Sequence, residues 1–144
     1  SGERSLAVGF RSSATKYGQK AFASGRFAAD GDAQGSIFIL RSDTTDATAE
    51  AMTTNNSTAA ATNQIVAASD TCIMFSGTIV AMQNGAQDQG GWQINGLLKN
   101  DGGTTTLVNS ADNTNNALKV QCTGEASHNI RWVANIQTSE VTYA

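Results

Sequence analysis

No stretch of this 144-residue chain sets apolar residues at a 3.6-residue period between helix caps; they fall instead in eight or so short runs broken by Gly, Asn and Asp. That pattern disfavours helices and points to an all-β fold. Ile37-Phe38-Ile39-Leu40, within the 35–41 run, is continuous and is expected to be covered on both faces. Residues 43–61 read as an irregular strand and loop, and 63–68 as a short strand. Thr71 to Met82 alternates: Ile73, Phe75, Gly77, Ile79 and Ala81 share one face, and Cys72, Met74, Ser76, Thr78, Val80 and Met82 the other. Both faces are partly apolar, so one serves the core and the second is expected to meet another sheet or subunit. Trp92 to Lys99 places Trp92, Ile94 and Leu98 together, and Asp101-Gly102 predicts a hairpin joining this strand to Thr104 to Val108. Leu118 to Cys122 reads as one period-2 strand. Asn129 to Val141 reads as a long closing strand with Ile130, Trp132, Ala134 and Ile136 on one side. The expected architecture is a jelly-roll-like antiparallel β-sandwich over residues 31–144.

Val, Ile, Leu and Phe supply only 26 residues, while Ala, Thr, Ser, Asn and Gly are abundant. A net charge of −3 is too small for a disordered composition. The chain is therefore expected to fold around a thin core and to complete its burial against sister copies. It has no apolar run near the ~18 residues of a membrane span, and no secretory leader. No membrane insertion is expected. Ser1 and Gly2 read as a scar before Glu3, so the chain is expected to be cut from a longer polypeptide. Cys72 and Cys122 lack metal-site spacing and read as small buried hydrophobes, and whether they pair stays open.

The first 26 residues carry Arg4, Arg11, Lys16, Lys20 and Arg26 against Glu3 alone. No recognition helix or aromatic RNA-binding motif accompanies them, and no nucleic-acid partner is expected. The same segment has a rhythm in which Ala7-Val8-Gly9 is answered by Ala21-Phe22-Ala23-Ser24-Gly25, with Ala7 and Ala21 14 residues apart. Small, apolar and glycine positions at such an interval suit strand pieces separated by tight turns. Residues 1–30 thus read as a stalk end, or arm, preceding the 31–144 domain.

Catalytic chemistry is sparse. The one histidine, His128, would be the conventional base for a serine or cysteine nucleophile, but no G-x-S-x-G elbow or cysteine-protease signature is present. It reads as a loop residue. Asp30 with Asp32, and Asp43 with Asp46, have the proximity of paired acids or calcium ligands, but lie in turn contexts where Asp caps backbone. No metal, no cofactor and no enzymatic activity are expected. Trp92 and Trp132 are in phase with the aliphatic faces of their strands and are expected to pack in the core or between subunits.

Three stretches carry a family resemblance: Tyr17 through Phe27 continuing to Gln34, Leu40 to Thr48, and Asn129 to Val141. With Trp92 to Lys99 they resemble the C-terminal domains of structural fibre proteins of marine tailed bacteriophages, including cyanophages. The resemblance implies a homotrimeric β-rich knob ending a viral fibre or horn, assembled in the host cytoplasm and carried on the virion. It implies contact with a host-surface glycan or protein receptor. Some relatives of such endings are intramolecular chaperones that cleave themselves off, and others act on glycans, but the match maps no catalytic residue here. On such a knob, loops make contact. The candidate binding residues are Asn84, Gln87, Asp88, Gln89, Asp112, Asn113 and Asn115, and the candidate trimer contacts are Tyr17, Phe22, Phe27, Met74 and Val80.

Overall fold

The computed structural model describes residues 2–85, 88–102, 105–107, 111–112 and 115–142, with backbone only considered for 105–107 and 111–112. Among these there is no helix. The strands are β1 (Leu6–Gly9), β2 (Lys20–Ala23), β3 (Ala33–Thr44), β4 (Ala49–Ala51), β5 (Ile65–Val66), β6 (Thr71–Gln83), β7 (Gln89–Asn100), β8 (Thr105–Leu107), β9 (Ala111–Asp112), β10 (Ala117–Leu118), β11 (Gln121–Thr123) and β12 (Ile130–Thr142). A seven-stranded sheet runs β1-β2-β3-β12-β6-β7-β8, and two small sheets, β5-β10-β9 and β11-β4, accompany it. The fold is all-β, with unequal layers.

Four strands of 12 or 13 residues form the centre of the large sheet; β6 and β12 have about the expected length, whereas β3 and β7 extend beyond the expected 35–41 and 92–99. Glycines inside them do not end them, because bulky neighbours use the space: Gly96 lies opposite Phe75 in the ladder. The Asp101-Gly102 hairpin is present, with Asn100 paired to Thr105 and Gly102 at φ +84°. β12 lies between β3 and β6, so the closing strand is the spine of the sheet.

All pairings are antiparallel except the first. β1 and β2 run parallel, with Ala7 opposite Ala21, so the 14-residue rhythm is a strand register. The reason is local. Gly9 ends β1 at φ +93°, where a Cβ would overlap the Ala23 carbonyl oxygen, and the chain returns through residues 10–19. Two buried glutamines fasten that return. Gln19 accepts from the backbone N–H of Thr15 and Lys16 at 2.8 and 3.1 Å and donates to Ser36 Oγ at 2.9 Å. Gln34 accepts from Ser13 N at 2.9 Å and donates to Ser13 O at 3.0 Å. β2 then pairs with β3, so the first strands extend the same sheet as the rest.

The core lies on one face of the large sheet. Phe38, Leu40, Ile73, Phe75, Leu98, Ala134 and Ile136 point into it and meet Met52, Ile65, Leu118, Val120 and Cys122 from the covering layer. Leu118 to Cys122 keeps its predicted alternation, but it is two strands rather than one. β10 pairs with β5 and β11 with β4; between them Val120 O accepts from Met52 N at 2.7 Å, so the ladder changes partner at Lys119-Val120.

The run Ile37 to Leu40 is covered on one face only: Phe38 and Leu40 are buried, while Ile39 is 49% exposed. The two cysteines are free. Cys72 is on the open face of β6 and Cys122 is buried in the core, where desolvation holds its thiol above its ordinary pKa and therefore neutral.

Asp32 organises the turn from β2 to β3. Its carboxylate accepts from the backbone N–H of Phe27, Ala28 and Ala29 at 2.9, 2.6 and 2.8 Å. Desolvation pushes its pKa up, but the three donors, helped by Arg26, outweigh it and hold the group below the usual carboxylate range. A lowered folded pKa stabilises the protein above the unfolded value, and the contribution disappears as pH falls through the folded one. Asp32→Ala is expected to lower Tm by several degrees at pH 7. The gap to the wild type should shrink below pH about 4, as read by thermal melts across that range.

Candidate functional site

Among the described residues, no layer covers the second face of the large sheet. Alternation sends to it Leu6 and Val8 of β1, Phe22 of β2, Ile39 of β3, Met74, Val80 and Met82 of β6, Leu97 of β7, and Val133 and Val141 of β12. These account for 10 of the 13 large hydrophobic side chains found exposed. Soluble monomers scatter such residues singly; concentration on one face marks a contact surface.

Of the sequence-based trimer candidates, Phe22, Met74 and Val80 lie on this face. Phe27 is 80% exposed in the turn after β2. Tyr17 is elsewhere: half-buried, its N–H bonded to Thr62 O at 3.0 Å and its ring 5.8 Å from the Arg4 guanidinium carbon. Sequence reading did not single out the other seven, Leu97, Val133 and Ile39 among them. Val133 was available from the alternation of β12, whereas Leu97 and Ile39 sit in runs apolar at consecutive positions.

A polar band crosses the apolar face at mid-length. Gln137, Ser76 and Asn95 form one rung, and Asn135, Thr78 and Gln93 the next. They line a shallow depression of about 410 Å³. At one end of the sheet Arg131 approaches Asp43 at 3.5 Å beside Asn84 and Asn129, around a second depression of about 250 Å³.

The candidate binding loops do not converge. Asn84 donates its backbone N–H to Asn129 O at 2.9 Å at the end where β12 begins. Asp88 and Gln89 are exposed beside it, and Gln89 is the first residue of β7. The second loop is at the other end of β7: Asn116 O accepts from Ala67 N at 2.9 Å, and Ala67 O accepts from Asn100 Nδ2 at 3.0 Å. A 12-residue strand separates these ends by about 35 Å. Asn115 is half-buried in that turn and the Asp112 backbone pairs with Ala117. Gln87 and Asn113 lie outside the described residues.

Among the described residues, no hydrogen bond joins the His128 ring to a serine or cysteine. Its Nδ1 is 3.4 Å from the exposed Glu125 carboxylate, an ion-pair distance without hydrogen-bond geometry. Asp30 pairs with Arg26 at 2.7 Å and Arg11 at 3.7 Å, and Asp46 closes an Asx turn onto Thr48 N at 2.7 Å. Among the described residues no three His, Cys, Asp or Glu side chains gather as a metal site would require.

The two tryptophans fare differently in the single chain. They stack on each other, with centroids 5.6 Å apart and planes at 28°. Trp132 packs against the core and donates Nε1–H to Thr44 Oγ1 at 3.0 Å, but Trp92 remains 47% exposed. Its strand face is the core face, yet the covering layer does not reach over it. Comparison with protein-family models, with curated proteins and with solved structures finds no match to this chain.

Proposed function

We infer that this chain is a non-enzymatic virion component, the homotrimeric tip of a tailed-phage fibre or horn, acting in attachment to a host-surface glycan or protein. The observation that carries the reading is the open apolar face of the seven-stranded sheet. A single copy leaves Phe22, Met74, Leu97, Val80 and Val133 in water across the three adjoining strands β12, β6 and β7 and on β2. Sister copies would cover them, at roughly 25 cal/mol per Å² of apolar surface removed.

The parallel β1–β2 pair supports the same reading. A strand register repeating every 14 residues is what a stacked fibrous stalk would hand to its terminal domain. In this reading the large sheet and its short covering layer form one wall and lining of a jelly-roll-like knob, and the neighbouring subunits complete it. The polar band of Gln137, Ser76, Asn135 and Thr78 then gives the contact hydrogen-bonding groups amid apolar ones, as interfaces commonly have.

Light scattering on the purified chain tests this. The expected mass is three times the 14.9 kDa of one copy. A monomer at micromolar concentration removes the reading's foundation.

A further inference from the structure

The core face of the large sheet is incompletely covered near β7. A groove of about 450 Å³ lies between the sheet and the segment linking β10 to β11, lined by Phe75, Ile79, Ile94, Leu118, Lys119 and Gln121 among others. Its floor is apolar and its rim polar, and its size falls within the range of small-molecule sites. Trp92 stands directly across the ladder from Ile79 and two residues before Ile94 on the same face. Three features fix the indole there. It stacks on Trp132, whose own ring is tied to Thr44 Oγ1. Gly90 lacks the Cβ that would overlap the six-membered ring of Trp92, so the ring lies against its own strand.

An indole that is rigid and still half open is unusual for a core residue. Apolar burial alone would favour covering it, whereas a sugar ring uses such a surface: its C–H face lies on the π-system while its hydroxyls reach polar groups at the edge. Preorganisation lowers the ordering cost of that contact. Among the described residues no acidic side chain lines the groove and Lys119 is the one charged group there, which suits neutral hydroxylated ligands.

We propose that this face binds a neutral oligosaccharide, with one ring stacked on Trp92, which flanks the groove without lining it, and the next rings in the groove with Lys119 and Gln121 as hydroxyl partners. The proposal deepens the attachment reading and rests on it for its biological setting. The site is on the opposite face from the apolar surface assigned to sister copies, so that contact does not cover it.

The chain's two tryptophans are Trp92 and its stacking partner Trp132, so their emission reports a ligand laid on Trp92. Cellohexaose, maltohexaose, mannohexaose and chitohexaose are titrated separately into the purified chain. At least one is expected to give a saturable emission change. Trp92→Ala should weaken its affinity, followed by calorimetry, by about tenfold, Trp92→Phe by less, and Phe22→Ala not at all. The proposal fails if none of the four changes the emission, if Trp92→Ala binds like the wild type, or if only an apolar peptide binds. It also fails if Trp92→Ala changes the subunit number, because the indole would then be a subunit contact. Sugar binding by a monomer would uphold the site and remove the trimer; a trimer indifferent to all four sugars would do the reverse.

Discussion

If the chain assembles as proposed, Met74→Glu combined with Val80→Glu is expected to convert that trimer into a folded monomer. The two residues project from the open face of β6, 53% and 55% exposed in the single chain, on either side of the polar band. In an isolated subunit a carboxylate at either position remains in water, so the fold should survive with an unchanged β-type circular dichroism spectrum. In the assembly, every copy would bring two carboxylates into an apolar contact. An unpaired buried charge costs several kcal/mol after relaxation, enough to raise the dissociation constant by two or more orders of magnitude. Light scattering should therefore report one subunit for the variant and three for the wild type. A second readout follows from mass action: the wild-type Tm rises with protein concentration and the variant's does not. A double variant that remains trimeric would show that the sheet face is not the subunit contact.

The same face shows what was legible in the sequence. Side chains alternate strictly along a strand, so the two faces of β6 and β12 could be sorted from residue order alone, and both sortings match the burial. Asp101-Gly102 announced its hairpin through local conformational preference, and the spacing of Ala7 and Ala21 was already a register. Pairing order is different in kind. Ile136 sits between Phe38 and Gly77, residues far apart along the chain, and no local pattern encodes that adjacency. The rungs Gln137-Ser76-Asn95 and Asn135-Thr78-Gln93 were invisible for that reason. Alternation also assigns a face without saying whether anything covers it. Ile39 and Trp92 were both expected to be covered, and both are half open for different reasons: Ile39 points to the face opposite the covering layer, whereas Trp92 points to the covered face but lies beyond a layer of two- and three-residue strands smaller than the sheet beneath it. The division of Leu118 to Cys122 has a similar origin, since its alternation is intact and only the partner strand changes.

Phe75→Ala tests the covered face as the glutamate pair tests the open one. Phe75 is at the middle of β6, buried, with Thr138 and Gly96 as its ladder neighbours on the core side. Neither neighbour fills much volume, so the ring occupies the space that both strands leave. Truncation to alanine removes that filling where the surrounding β-ladders resist collapse, and buried Phe→Ala changes cost about 3–5 kcal/mol. Domains of this size have roughly 5–15 kcal/mol in total, so the variant should fold but melt about 10 °C lower. The companion variant is Phe22→Ala, the same truncation on the open face, where the ring is 59% exposed in one copy. Its effect should depend on assembly: small in dilute protein and growing as concentration favours the trimer. Phe75→Ala should instead weaken the subunit itself, and its loss persists in the monomeric Met74→Glu, Val80→Glu background. Equal and concentration-independent effects of the two truncations would contradict the division of this sheet into a core side and a partner side.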